Sequence, residues 1–250
     1  LECFLHVPFN EHGQINCIYP GTHTTLLDYS LIPLIGQRFH RENRGVYYKP
    51  AETLSKALRL KEWYDRHTNA AGLVDFDYEA YAQRGLRNFI DHPGIGWHNF
   101  PHPGIDRDGT SCPLNLFFYG FLQILADLAA ELGRPERAPL REQAARLGAA
   151  IRSTFYDGEV FHDAARDGAL SEGTAWQTNA LAVYWDVLQG EDATRAMLAM
   201  LAGYDRLCRC SPYFHFYFLP ALRKAGLHQE ALDLIKREWG TMLAAGATTT

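Results

Sequence analysis

Residues 111–133 run SCPLNLFFYGFLQILADLAAELG, the pattern of a single deeply buried helix. Ser111 is a cap residue whose hydroxyl can take a free backbone N–H, and Pro113 falls in the first turn, where its missing N–H costs nothing. Phe117, Phe121, Leu125, Leu128 and Leu132 recur at helical spacing as an apolar stripe, and Gly133 closes the run. A stripe this large needs other helices to cover it.

Those helices lie on both sides. Downstream, 136–155 places Leu140, Ala144, Leu147, Ile151 and Phe155 on one face, and Tyr156-Asp157-Gly158-Glu159 then makes a tight turn. Upstream, 24–44 carries Leu27, Leu31, Leu34, Ile35 and Phe39, with Pro33 as an expected kink. A helix opening on Pro50 follows, with Leu54, Leu58 and Trp63, and Asn69 to Gly72 ends it. A third pair is read over 174–189 and 191–202. A fourth starts at Ser211-Pro212, runs to Gly226, and is partnered by 228–245 with Ala231, Leu234, Ile235 and Met242. The pattern predicts eight helices in four hairpins. Short links within pairs make the partners antiparallel neighbours. The longer links between pairs hold the unusual residues, which predicts a toroid with one functional rim. Ala225 to Leu232 is similar to part of a tetratricopeptide unit, but the pairs lack the regular period of about 34 residues that a solenoid of that type requires.

Composition narrows the function classes. A net charge of −5 supplies no basic field for nucleic acid or an anionic membrane. No apolar run reads as approaching the roughly 20 residues that span a bilayer. Leu1-Glu2-Cys3-Phe4 lacks the basic and apolar regions of a signal peptide. Cys3, Cys17, Cys112, Cys208 and Cys210 are odd in number and irregular in spacing, which favours reduced thiols and a reducing, cytoplasmic compartment over a disulfide framework. Cys208-x-Cys210 has no second pair to complete a zinc site. Aromatic residues make up 13%, many of them in the long segment 72–110 (Phe76, Tyr78, Tyr81, Phe89, Trp97, Phe100), where sugar stacking and ordinary packing are both open readings.

Several segments, in order over residues 24–250, resemble landmarks of the bacterial α-L-rhamnosidase catalytic domain. They are Asp28-Tyr29-Ser30-Leu31-Ile32-Pro33, Gly72 to Asp77, Asn88-Phe89-Ile90-Asp91, Leu114 to Tyr119, and Gln177 to Val183. Ser211-Pro212-Tyr213-Phe214-His215-Phe216-Tyr217, then Trp239 to Leu243, then Gly246-Ala247-Thr248-Thr249 are the most specific. The resemblance implies an all-α, (α/α)6 six-hairpin toroid, inverting hydrolysis of terminal α-L-rhamnose, a carbohydrate substrate as partner, and no cofactor. About eight of the twelve helices fall within residues 1–250, read as a single partial domain incomplete at both ends.

The departures matter as much. The family's acid-bearing segment has no counterpart, since Asn10-Glu11-His12-Gly13 differs in context. Its general base follows the Gly-Ala-Thr-Thr motif, at which this sequence stops, and His92 replaces a landmark tryptophan. No catalytic residue is assigned, and the 250 residues alone are expected to be inactive.

The candidate substrate-binding residues are Asp91, His92, Trp97, Trp176, Asn179, Tyr213 and His215, all on between-pair loops or at helix starts. Each has a structural alternative: cap, spacer or packed wall. His92, His98 and His102 share no helical face for a metal, and Asp75, Asp77 and Glu79 lack the remaining ligands of a calcium loop, so no metal is expected. Another six-hairpin glycosidase of different sugar specificity, or a non-catalytic helical binding module, are the rival functions.

Overall fold

The structure is a computed structural model and describes residues 2–17, 25–83, 85–91, 104–107 and 109–248. His92, Trp97, His98 and His102 lie outside the described residues, as does the side chain of Glu79. The elements in order are α1 (Glu2–His6), β1 (Thr25–Leu26), α2 (Leu27–Arg44), α3 (Pro50–Arg66), α4 (Tyr78–Ala82), β2 (Leu86–Arg87), β3 (Thr110–Ser111) and α5 (Cys112–Glu131). Then come α6 (Arg137–Phe155), β4 (Ala164–Arg166), β5 (Ala169–Leu170), α7 (Trp176–Tyr184), α8 (Gly190–Ala202), α9 (His215–Lys224) and α10 (His228–Ala244). The class is all-α.

The eight long helices coincide with the eight read from periodicity, while α1 and α4, five residues each, are too short to show a period. Two boundaries differ from the sequence reading, for local reasons. α7 stops at Tyr184 rather than 189, where Asp186 adopts a left-handed φ of 62°. α9 starts at His215 rather than near Ser211, because the Ser211 carbonyl accepts the N–H groups of both Phe214 and His215 in a tight turn.

The chain divides into two compact units. The first comprises Leu1–Ile90, Arg107–Thr154 and Ala164–Leu170; the second comprises Asp91–Asp106, Phe155–Asp163 and Ser171–Thr250. In the first, α2 packs along α5 and α3 flanks both. Leu27, Leu31, Trp63, Tyr64, Phe117, Phe118 and Phe121 fill the space between them, each at most 2% exposed. Burying side chains of this size contributes about 1.5–3 kcal/mol apiece. β1 pairs in parallel with β2, and β3, β4 and β5 form a small antiparallel sheet. In the second unit α7 packs on α9, with α8 and α10 against them.

Burial separates core helices from covering ones. In α5, 15 of 20 residues are buried, and in α7, 8 of 9; in α10 Leu234 is the buried residue among 17. α5 also corrects the reading that no run approaches bilayer length. Its 20 residues are long and apolar enough to cross a membrane, yet 83% of the relevant stretch is buried inside the fold, as a core helix requires.

One glycine is required by close approach. Gly109 has φ +93°, and a Cβ there would stand 2.5 Å from the Ala165 carbonyl oxygen in the β3–β4 pair. Gly109→Ala is expected to destabilise the first unit by roughly 2–4 kcal/mol through combined backbone strain and overlap. Denaturant unfolding of the variant checks this; an unchanged midpoint would show that the sheet gives way without cost.

Candidate functional site

The helix entries are built by a recurring polar device. In the first unit, Asn115 on the first turn of α5 accepts the Val74 N–H at 2.7 Å and donates to the Val74 carbonyl at 3.0 Å and to the Ser111 carbonyl at 2.8 Å. In the second, Asn179 on α7 accepts the Phe161 N–H at 2.8 Å and donates to the Phe161 carbonyl at 3.0 Å and the Ala175 carbonyl at 3.2 Å. Both gripped residues close isolated antiparallel bridges, Thr68 with Val74 and Tyr156 with Phe161. Asparagine suits this because its amide offers an acceptor and two donors in one plane, matching a backbone N–H and C=O together. Asn179→Leu is therefore expected to cost about 2–4 kcal/mol by stranding the buried Phe161 groups, whereas a side chain held only for ligand contact would give the same substitution little effect on stability. Thermal unfolding distinguishes the two.

Asp91 organises the second unit's entry to α9. It is 2% exposed, with φ 54°, and accepts hydrogen bonds from the Ser211 N–H (2.9 Å), the Ser211 hydroxyl and the Gln177 side-chain amide (2.9 Å). Ser211 Oγ also accepts the Phe214 N–H at 3.3 Å, and the Ser211 carbonyl meets His215 Nδ1 at 2.8 Å. Asp91, Ser211 and His215 thus share a network without forming a nucleophilic triad, because the serine hydroxyl is turned to the aspartate and the imidazole meets the carbonyl rather than Oγ. Burial lowers the His215 pKa below that of a free histidine, so the ring is neutral at pH 7.

The other candidates in this unit take different positions. Trp176 is fully buried, stacked on Phe218 at 4.3 Å, and its backbone N–H donates to the Cys208 carbonyl. Tyr213 is 44% exposed and meets Phe214 and Tyr217 edge-on. The structure therefore gathers Asp91 and His215 into one network around Ser211, buries Trp176 and Asn179 as framework, and leaves Tyr213 at the surface. His92 and Trp97 lie outside the described residues. Three described cavities, of about 730, 430 and 500 Å³, are lined by first-unit residues, and none includes these candidates.

Asp163 carries no sequence signal, yet it anchors α7 much as Asp91 anchors α9. Its carboxylate accepts from the Ala175 N–H, the Thr178 hydroxyl and the Asp106 N–H. Burial pushes its pKa up against those hydrogen bonds. Its partners are 12 to 57 residues away, beyond any local motif. Cys210 is buried, and burial followed by the Asp91 carboxylate pushes its thiol pKa well up, so it is an unreactive thiol.

No protein-family model matches the sequence, and no curated protein matches it. Solved structures do match it, among them two rhamnosidases. The rhamnosidase from Klebsiella oxytoca, solved with rhamnose bound, aligns over 99% of this chain with a TM-score of 0.73 and 19% identity. The chain shares its fold with part of this rhamnosidase. The GH78 family rhamnosidase of Bacillus sp. GL1 aligns over 90% of the chain with a TM-score of 0.69 and 23% identity. The chain spans 46% and 22% of the lengths of these two rhamnosidases.

Proposed function

We propose that residues 1–250 form part of a six-hairpin glycosidase domain, an (α/α)6 toroid in the full-length protein, that releases terminal α-L-rhamnose with inversion. The observation that carries this reading is the TM-score of 0.73 over 99% of the chain with a rhamnosidase. The order of the rhamnosidase-like segments supports it. Asp91, His92, Trp97, Trp176, Asn179, Tyr213 and His215 are proposed to line or brace the sugar pocket, with Asp91, Trp176 and Asn179 acting from behind it. No cofactor is invoked.

Residues 1–250 alone are proposed to be inactive. Inversion needs a carboxylic acid and a carboxylate roughly 6.5–9.5 Å apart across the scissile bond. Asp91 and Asp163 are committed to framework hydrogen bonds, and Asp28 is enclosed at 1% exposure. The Glu11 side chain is 85% exposed beside His12, and Glu172 is exposed. Losing even one positioned proton transfer costs about 10²–10⁴-fold in rate.

The test is hydrolysis of an aryl α-L-rhamnoside whose leaving group requires protonation, by residues 1–250 and by the full-length protein in parallel. Turnover by the full-length protein alone is expected. Turnover by residues 1–250 would make one of Glu11, Asp91 or Glu172 catalytic. Turnover by neither, with another aryl glycoside cleaved, would mean a different sugar; with none cleaved, a binding module.

A further inference from the structure

Ser30, Asn115 and Asn179 each stand four residues after the N-cap of their helix, namely Leu26, Ser111 and Ala175, while His215, the first residue of α9, stands four residues after Ser211, whose hydroxyl and carbonyl hold the turn that leads into that helix. The first three hold the N–H and C=O of one loop residue. Ser30 does so with Ile15 at 3.4 and 3.2 Å, as Asn115 does with Val74 and Asn179 with Phe161. His215 completes half of the pattern. Its Nδ1 returns to the Ser211 carbonyl, as the two asparagines return to the carbonyls four residues back. Its Nε2 is buried and has no partner among the described residues.

The chemistry of that nitrogen follows from its neighbour. A carbonyl can only accept, so Nδ1 carries the ring hydrogen, and in the neutral imidazole Nε2 is a bare lone pair. It can accept from a hydroxyl or an N–H and offers nothing to a carboxylate or phosphate. The Glu238 and Asp91 carboxylates in its surroundings also disfavour an anion there. Trp239, half-buried on α10, faces the imidazole edge-on at 5.1 Å. An aromatic face beside a hydrogen-bond acceptor suits a sugar, whose C–H groups pack on the ring while its hydroxyls donate.

We propose that His215 is a specificity-determining residue whose Nε2 accepts a hydrogen bond from a hydroxyl of the bound sugar, with the Trp239 indole turning aside to lie against the sugar ring. The inference rests on the sugar-binding reading above and names one contact within it. The test uses full-length protein labelled with ¹⁵N-histidine and titrated with L-rhamnose, then with a panel of neutral pyranoses, alongside His215→Phe and His215→Gln. The Nε2 resonance is expected to move upfield at saturation. His215→Phe should weaken binding about fivefold to tenfold, the loss of one neutral hydrogen bond, with partial recovery in His215→Gln. Sugar binding seen at other resonances while Nε2 stays in place, or full affinity in His215→Phe, would overturn the assignment and leave the sugar reading standing. Absence of binding by every pyranose would overturn the sugar reading, and this contact with it.

Discussion

Replacing Asp91 with alanine is expected to destabilise the second unit by about 3 kcal/mol, because three donors, one buried and two part-buried, lose their acceptor together. Those donors are the Ser211 N–H, the Ser211 hydroxyl and the Gln177 amide. Alanine is also poorly suited to the left-handed φ of 54°, which asparagine and aspartate tolerate better. Asp91→Asn separates these two effects. It keeps the backbone preference and one acceptor oxygen, but turns an amide donor towards groups that already donate. Its cost should be about half as large. Urea unfolding followed by tryptophan fluorescence reads both variants. Stability of Asp91→Ala within 1 kcal/mol of the parent, taken as about the net worth of a single hydrogen bond, would mean that the Ser211 entry is held by something other than this carboxylate.

The second large effect is a pH dependence set in the first unit. Asp28 is 1% exposed, and burial raises its pKa from 3.8 to about 7, against the opposing pull of the Ile90, Asp28 and Phe89 backbone N–H groups and the Arg107 charge. One carboxyl oxygen, Oδ1, has no hydrogen-bond partner among the described residues. The folded state therefore binds a proton that the unfolded state releases near pH 4. Its stabilising contribution is complete below that pH and is lost as pH rises towards 7. The interval corresponds to at most about 4 kcal/mol. Asp28→Asn mimics the protonated form, so the variant should lose this slope and become the more stable protein at pH 8. Asp163, also raised by burial, is unchanged in both proteins and cancels in the comparison. Equal slopes for the two proteins between pH 4 and 8 would show that Asp28 titrates normally in the fold.

These two aspartates mark where sequence reading succeeds and where it stops. The long helices were legible because each buries a stripe at helical period: Phe117, Phe121, Leu125 and Leu128 in α5 are all at most 1% exposed. The Ser111 cap was legible too, since a hydroxyl ahead of a first-turn proline has few other uses, and it does accept the Leu114 N–H. Asp91 was singled out, but its partners Gln177 and Ser211 lie 86 and 120 residues away, and periodicity carries no information about such pairings. Asn179 shows the converse. A polar residue on an apolar helix face invites a ligand reading, yet its amide is taken up by the backbone of Phe161 and Ala175. The polar residue four positions after the cap was the readable signal, had Ser30, Asn115 and Asn179 been aligned with one another.

The proposed function, inverting release of terminal α-L-rhamnose, has a stereochemical signature. The most direct measurement is time-resolved proton NMR of the full-length protein with an aryl α-L-rhamnoside, observing which anomer of free rhamnose appears before mutarotation. The account predicts β-L-rhamnose first, since water attacks from the face opposite the departing group. Initial release of the α-anomer, or no release of rhamnose at all, would contradict it.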